Sequence, residues 1–337
     1  MLRLPEFDLR EPTTVDEVVA ELAGGDAMVI AGGTDLVPNM KHRLFEPRVV
    51  VSLGRVEALR GIRETSDGIS IGAMTRLDEV ASSALVQERA PALAQAASLV
   101  AGPQLRTMGT LGGNVMLDTR CQWYNQTYFW RKSLGFCLKK DGEVCHVVAG
   151  GKKCVAAASN DSAPALMTLG ARLVFQGPEE RREIAVDELW KADGIWNKKV
   201  APSELLTEIL VPGQAAGHRG AYGKLRDRGS IDFPLLGVAV RLDVGDGDRV
   251  EDADVVAVAL AARPLRIKRV AETLRGTVVG SAEFEDAVEA VASMAYKQCH
   301  PLPNIPGDED YRREMVPGYQ RHTLRAASEG AGPIHAL

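Results

Sequence analysis

Four of the five cysteines, Cys121, Cys137, Cys145 and Cys154, crowd into one stretch of the chain, while Cys299 stands far from them. Thiolates are soft ligands suited to zinc and to iron–sulfur clusters. The spacing here is C-x15-C-x7-C-x8-C. Structural zinc sites ordinarily pair their ligands as C-x2–4-C, because a tight knuckle presents two sulfurs together. No such pair occurs. An iron–sulfur cluster needs four thiolates around a larger core, and irregular spacing suits it equally well. Trp123, Tyr124, Tyr128, Phe129, Trp130 and Phe136 share the window, although aromatics form only 5% of the chain. Such a shell limits water access and so tunes the reduction potential of a cluster. From spacing alone, an iron–sulfur cluster, a zinc ion and unligated thiols all stay open. His146 offers either a further ligand or an outer hydrogen bond, and Cys299 reads as structural.

Two glycine-rich stretches have a different chemistry. Ala31-Gly32-Gly33-Thr34-Asp35-Leu36 follows an apolar run, and Gly109-Thr110-Leu111-Gly112-Gly113-Asn114 repeats its ingredients. Glycine admits positive φ and carries no Cβ, so consecutive backbone N–H groups can converge on an anion such as a pyrophosphate. Thr34 and Asp35 add a hydroxyl donor and a helix cap. The bland alternative is an ordinary strand-to-helix turn, which also favours Gly and Asp; the second copy argues for one extended ligand. No G-x-G-x-x-G and no G-x-x-x-x-G-K-[ST] occurs, so neither a nicotinamide Rossmann site nor a P-loop is indicated. No nucleophile–base constellation is evident.

These motifs need scaffolding, and the periodicity indicates what it is. Thr14 and Glu17 have capping-box spacing, which predicts a helix over VDEVVAEL. Ala27–Ile30 and Val49–Leu53 read as short buried strands, giving a small α/β layer. From about Val56 a second α/β subdomain is expected, with strands near Ile69–Ile71 and Leu173–Phe175 and helices at Leu77–Ser83 and Ala92–Leu99. Residues 118–156 interrupt it. From His218 closely spaced strand runs at Tyr222–Arg226, Leu235–Val244 and Val255–Ala261 predict an antiparallel sheet. Helical patterns follow at Leu265–Leu274, Glu283–Gln298 and from Asp308, with Pro317 expected to end or kink the last helix. The fold class is α+β, divided as 1–55, 56–215 with the cysteine insert at 118–156, 216–327, and a frayed tail from Ser328.

The bulk properties set limits on function. The 337-residue chain has 45% hydrophobic and 25% charged residues and a net charge of −5, values ordinary for a globular protein. Lys and Arg are scattered, which gives no reason to expect nucleic acid or an anionic membrane as partner. No apolar run approaches a membrane span, and the N-terminus is too polar for a signal peptide, so a cytoplasmic protein is expected. The odd cysteine count argues against a secreted disulfide framework.

The first glycine turn, followed about 75 residues later by Thr110-Leu111-Gly112-Gly113-Asn114, resembles the FAD-binding (medium) subunit of the xanthine dehydrogenase and carbon monoxide dehydrogenase family. Lys224, Asp232 and Tyr311-Arg312-Arg313 extend the resemblance into the C-terminal region. It implies a two-subdomain, PCMH-type FAD-binding α/β unit followed by a C-terminal α+β domain. It also implies that Val29, Ile30, Ala31, Gly32, Gly33, Thr34, Asp35 and Leu36 form the pyrophosphate turn. Ala101 with Thr110, Leu111, Gly112, Gly113 and Asn114 then forms the second FAD loop, and Asp118, Asp161 and Lys224 are expected to touch the cofactor. Lys224 beside the flavin ring would stabilise an anionic reduced flavin.

Most members of that family lack the cysteine insert. Asp118-Thr119-Arg120-Cys121 through Gln126, with Cys137-Leu138-Lys139, Cys145-His146-Val147-Val148 and Cys154, most resembles the 4-hydroxybenzoyl-CoA reductase branch, whose β subunits hold a [4Fe–4S] cluster beside FAD. The flavin subunit of a periplasmic aldehyde oxidoreductase matches the spacing less well. The resemblance implies one FAD and one [4Fe–4S] cluster on Cys121, Cys137, Cys145 and Cys154, with electrons passing one at a time. The implied partners are a molybdenum-cofactor large subunit and a [2Fe–2S] small subunit in a dimer of heterotrimers, with ferredoxin or another carrier outside. In the reductase branch electrons run inward to remove a phenolic hydroxyl; in the commoner hydroxylases they run outward. A zinc-bearing module without flavin is the reading from another class.

Overall fold

Thr14 Oγ1 accepts the Glu17 backbone N–H at 3.2 Å, and Glu17 Oε2 accepts the Thr14 N–H in return. The helix Val15–Ala23 therefore starts where its capping box predicts. It buries Val18, Val19 and Leu22 against Val51 and Leu53. The computed structural model describes residues 2–335. In its first layer, strand Val49–Ser52 is the centre of a parallel three-stranded sheet, flanked by Asp8–Arg10 and Ala27–Ile30.

The second layer is a five-stranded antiparallel sheet in the order Ile62–Thr65, Gly68–Gly72, Leu205–Pro212, Arg172–Gln176, Arg181–Ala185. Its apolar face carries Ile69, Ile71, Leu173, Phe175 and Ile209, packed with Leu93 of helix Pro91–Ser98 and Leu166 of helix Ser162–Thr168. Each such side chain withdrawn fully from water contributes about 1.5–3 kcal/mol. About a hundred residues separate the second and fourth of these strands, and both the second glycine bend and the cysteine insert lie in that interval. The sheet thus fixes the two ends of the segment that bears the chemistry.

The third layer is an antiparallel sheet of His218–Leu225, Leu236–Val244, Val250–Val258 and the short Leu265–Arg266. Helices Ala282–Gln298 and Glu309–Glu329 cover it. The fold is mixed α+β, as the periodicity predicts.

Three expectations need correction. The stretch Leu265–Leu274 is not one helix: Leu265–Arg266 pairs with Val256 and Ala257, Arg269 adopts φ +69°, and a helix runs only over Val270–Leu274. Pro317 does not end the last helix, which runs through it over the 21 residues Glu309–Glu329. A proline removes one intrahelical hydrogen bond, but Val316, Tyr319 and Leu324 are buried on either side of it and hold both turns to the core. The tail is not frayed at Ser328. The Lys224 N–H donates to Ile334 O at 2.7 Å and the Ile334 N–H to Tyr222 O at 3.1 Å, so the C-terminal segment adds a bridge to the sheet edge.

Candidate cofactor site

The first glycine bend links strand Ala27–Ile30 to helix Leu36–Lys41. Gly33 lies at φ +72°, the left-handed region that glycine enters without steric cost. Gly32 is needed for a different reason. A Cβ there would lie 1.7 Å from the Met108 carbonyl oxygen, which leads into the second bend. The two diglycine stretches, 80 residues apart in the chain, therefore meet backbone to backbone at Gly32 and Met108–Gly109. Among the described residues, the N–H groups of Gly32, Gly33, Thr34 and Asp35 donate to no acceptor in the chain. A run of unengaged donors at a half-buried turn fits a diphosphate. Asp35 does not cap the helix as expected: its Oδ2 accepts from Asn39 Nδ2 at 3.2 Å, and its Oδ1 pairs with Arg120. Val29, Ile30 and Leu36 pack into two small cores that brace the turn.

The second bend has the opposite character. The Leu111 N–H donates to Thr75 O and the Gly112 N–H to Ala73 O, both at 2.9 Å, and Gly113 N–H donates to Thr110 Oγ1. A Cβ on Gly112 would come within 2.7 Å of Ala73. The donors of Leu111, Gly112, Gly113 and Asn114 are engaged, so this part of the bend is a rigid wall beside the first turn. Asn114 Oδ1 accepts from both the N–H and the hydroxyl of Ser162, at 3.0 and 2.6 Å.

Ser162 leads to Asp161, and Asp161 leads to Lys224. This pair is buried, with side chains 2% and 0% exposed. Lys224 Nζ donates to Asp161 Oδ2 at 3.1 Å, Leu99 O at 2.8 Å and Asp232 O at 3.2 Å. An ammonium has three donors, and all three are engaged. Tyr222 Oη donates to the other Asp161 oxygen at 2.8 Å. Burial raises the Asp161 carboxyl above its usual range, while Lys224 and Tyr222 oppose that shift. Lys224 thus fastens the Leu99–Ala101 loop to the C-terminal sheet. Ala101 itself lies at φ +44°, and its carbonyl accepts from Ile231 N–H and Arg226 Nη2.

The cysteine insert is closed at its base by paired bonds, Arg120 N–H to Ala157 O and Ala157 N–H to Arg120 O, both 2.7 Å. Above that stem, Cys121, Cys137, Cys145 and Cys154 line one cavity with Trp123, Lys139 and His146. The structure thus brings together all four predicted thiols. Backbone N–H groups reach two of the sulfurs, Val148 to Cys145 at 3.5 Å and Ala156 to Cys154 at 3.4 Å. Burial, with the neighbouring thiols adding to it, pushes Cys121 up to about 12 and Cys154 up to about 11.

Among the described residues, no group of three or more His, Cys, Asp or Glu is disposed to hold a metal ion. Four thiolates on one zinc would lie within about 4 Å of one another, given Zn–S bonds near 2.3 Å. A four-iron cluster has a larger core, in which each thiolate meets its own iron. His146 turns away from a ligand role, since its Nε2 is 2.6 Å from Phe136 O and its ring lies against Trp123. Cys299 is fully buried in the C-terminal core.

Several residues at this site escape sequence reasoning. Arg131 is fully buried and donates to His42 O and Arg43 O, tying the insert to the end of helix Leu36–Lys41. The Gln122 N–H donates to Asn304 O, and Asn304 Nδ2 to Val155 O, anchoring the insert to the C-terminal domain. Gly194 packs so closely that a Cβ would meet Cys154 Sγ at 2.8 Å. Lys139 Nζ donates at 2.8 Å to Asp118, a residue the sequence does place at the cofactor. Lys198 is buried on Leu117 O and Asn197 Oδ1, and burial lowers its ammonium to about 7. A charged side chain ordinarily reads as solvent-facing, and nothing local marks these as buried.

The family "FAD binding domain in molybdopterin dehydrogenase" matches residues 5–214, and "CO dehydrogenase flavoprotein C-terminal domain" matches 220–327. The carbon monoxide dehydrogenase medium chain of Hydrogenophaga pseudoflava is 32% identical, over 96% of this chain and 97% of that one. The nicotine 6-hydroxylase medium subunit of Paenarthrobacter nicotinovorans is 26% identical over 96% and 98%. Among solved structures, a carbon monoxide dehydrogenase from Hydrogenophaga pseudoflava that lacks the Mo-pyranopterin moiety of its cofactor superposes with a TM-score of 0.79, at 29% identity over 98% of this chain and 100% of that one. With both matched regions together spanning nearly the whole chain, the protein belongs to the FAD-binding medium-subunit family of the molybdenum hydroxylases.

Proposed function

We propose that this chain is the electron-transfer subunit of a multi-subunit molybdenum oxidoreductase, holding one FAD at the paired glycine bends and one [4Fe–4S] cluster on Cys121, Cys137, Cys145 and Cys154. The observation that carries this reading is the convergence of those four thiols on one cavity, joined by Arg120 to the Asp35 of the first bend. When bound, such groups supply one-electron transfer between a cluster and a flavin that can hold one or two electrons. The chain supplies binding and electrostatics. The unengaged N–H groups of Gly32 to Asp35 hold the diphosphate, the Thr110–Asn114 wall orients the cofactor, and the Asp161–Lys224 pair positions the Leu99–Ala101 loop. Of the clustered aromatics, Trp123 and Tyr124 line the cysteine cavity, while Phe129 and Trp130 face outward.

The partners in this reading are a molybdenum-cofactor large subunit and a [2Fe–2S] small subunit, in a dimer of heterotrimers. The insert favours chemistry like that of 4-hydroxybenzoyl-CoA reductase, in which ferredoxin electrons flow inward for reductive removal of an aromatic hydroxyl from an aryl-CoA. The second reading keeps the same subunit role with electrons flowing outward to an acceptor. It is favoured by the relatives' names, which are those of dehydrogenases and a hydroxylase.

Anaerobic purification with the neighbouring subunits tests the proposal. About four irons and one flavin per chain, with two further polypeptides in the complex, support it. A colourless protein with one zinc overturns it. Reduction of the complex by ferredoxin, against reduction by a bound aldehyde or heteroaromatic substrate, separates the two directions.

A further inference from the structure

The Lys139 side chain is 3% exposed and that of its partner Asp118 is 12% exposed. Lys139 follows Cys137 by two residues and lines the cysteine cavity. Its ammonium is 2.8 Å from Asp118 Oδ1, 2.6 Å from Thr119 Oγ1 and 2.6 Å from Gly194 O, and it lies 4.7 Å from the Tyr124 ring centre. Asp118 also accepts the Thr119 N–H at 2.8 Å, so each partner keeps hydrogen bonds of its own. The other nearby cations have other attachments. Arg120 is paired with Asp35 in the first bend, and Lys198 Nζ is held by Leu117 O and Asn197 Oδ1. The Lys139–Asp118 pair is therefore a fixed, oriented dipole between the thiol cavity and the segment that leaves the second glycine bend.

A buried charge acts through a low effective dielectric, so a single ammonium beside a redox group has a large effect on the energy of adding an electron. We propose that Lys139 and Asp118 are positioning residues that set the reduction potential of the group held by the four cysteines, and that they act with opposite sign. The ammonium favours the reduced form, and the carboxylate opposes it. The step concerned is the gain of one electron by the cluster, with no bond made or broken; the electron comes from the flavin or from the external carrier already invoked. The inference rests on the cluster reading given above.

The test is an EPR-monitored redox titration of the anaerobically purified complex, with iron and flavin counted in each sample. Lys139→Met should make cluster reduction about tenfold less favourable, a fall of about 59 mV for one electron. Asp118→Asn should shift the potential upward, because Lys139 keeps Thr119 and Gly194 as acceptors. Lys139→Arg preserves the charge and should stay within about a third of the Lys139→Met shift. A purely structural pair would give losses of the same sign in both neutral variants. Full iron with unchanged potentials, or shifts in the same direction, overturns the inference and leaves the cluster reading intact. A wild-type complex without iron removes both. If Lys139→Met loses its iron, the upward shift in Asp118→Asn still decides the matter.

Discussion

The carboxylate of Asp35, in the middle of the first glycine bend, is paired with the guanidinium of Arg120, the residue immediately before the first clustered cysteine. One ion pair thus joins the proposed dinucleotide turn to the stem of the proposed cluster loop. Burial lowers Arg120 to about 10, and its guanidinium also stacks on Phe233 of the C-terminal domain at 4.4 Å. The two sites are built as one unit, and disturbing either should be felt at the other.

Gly32→Ala places a methyl group against the Met108 carbonyl, where backbone and not a mobile side chain must give way. Overpacking of this kind costs about 1–3 kcal/mol. The purified variant should bind FAD about tenfold more weakly, equivalent to about 1.4 kcal/mol, with its far-UV circular dichroism unchanged. Flavin titration of the apoprotein reads the difference, and unaltered affinity would remove Gly32 from the site.

Serine replacements at Cys121, Cys137 and Cys154 should each cut iron content to less than half of the wild-type value. Cys299→Ser should keep full iron, because its thiol lies in the C-terminal core and away from the insert. That variant should lose only stability, about 1–3 kcal/mol for a buried hydroxyl without a partner. Equal iron in all four proteins would break the assignment.

Lys224→Met leaves the Asp161 carboxylate buried with Tyr222 as its remaining partner. Removing one member of a buried pair costs about 3–5 kcal/mol. The double variant Lys224→Met with Asp161→Asn should recover part of that loss. A double-mutant cycle in urea that returns no coupling would show the pair to be inert.

Lys198 gives the pH dependence. Its folded value of about 7 lies below the unfolded 10.5, so between those limits the unfolded chain binds a proton that the folded chain does not. Stability should therefore rise with pH across that window, by up to about 1.4 kcal/mol per unit for one proton. The penalty is fully present below pH 7 and gone above 10.5. Lys198→Met should flatten this component, and urea midpoints at pH 7 and pH 9 compare the slopes.

The amino-acid sequence by itself determined the local features. The Thr14–Glu17 box starts a helix because both partners sit three residues apart, and the strand at Val49–Ser52 follows from an unbroken β-branched run. The membership of the cysteine group and the two glycine bends were equally legible, since residue type and spacing are local properties. Tertiary structure alone decided which charges are buried. Lys139, Arg131, Lys198 and Lys224 look like ordinary surface cations in the chain, yet the ends of their side chains are enclosed by backbone carbonyls or a carboxylate from a distant segment. It also decided that the first bend keeps its N–H donors open while Leu111 to Asn114 in the second use theirs, and that Ile334 returns to the sheet edge. Hydrogen bonding and dielectric depend on what arrives from elsewhere in the fold, and a linear pattern carries no record of that arrival.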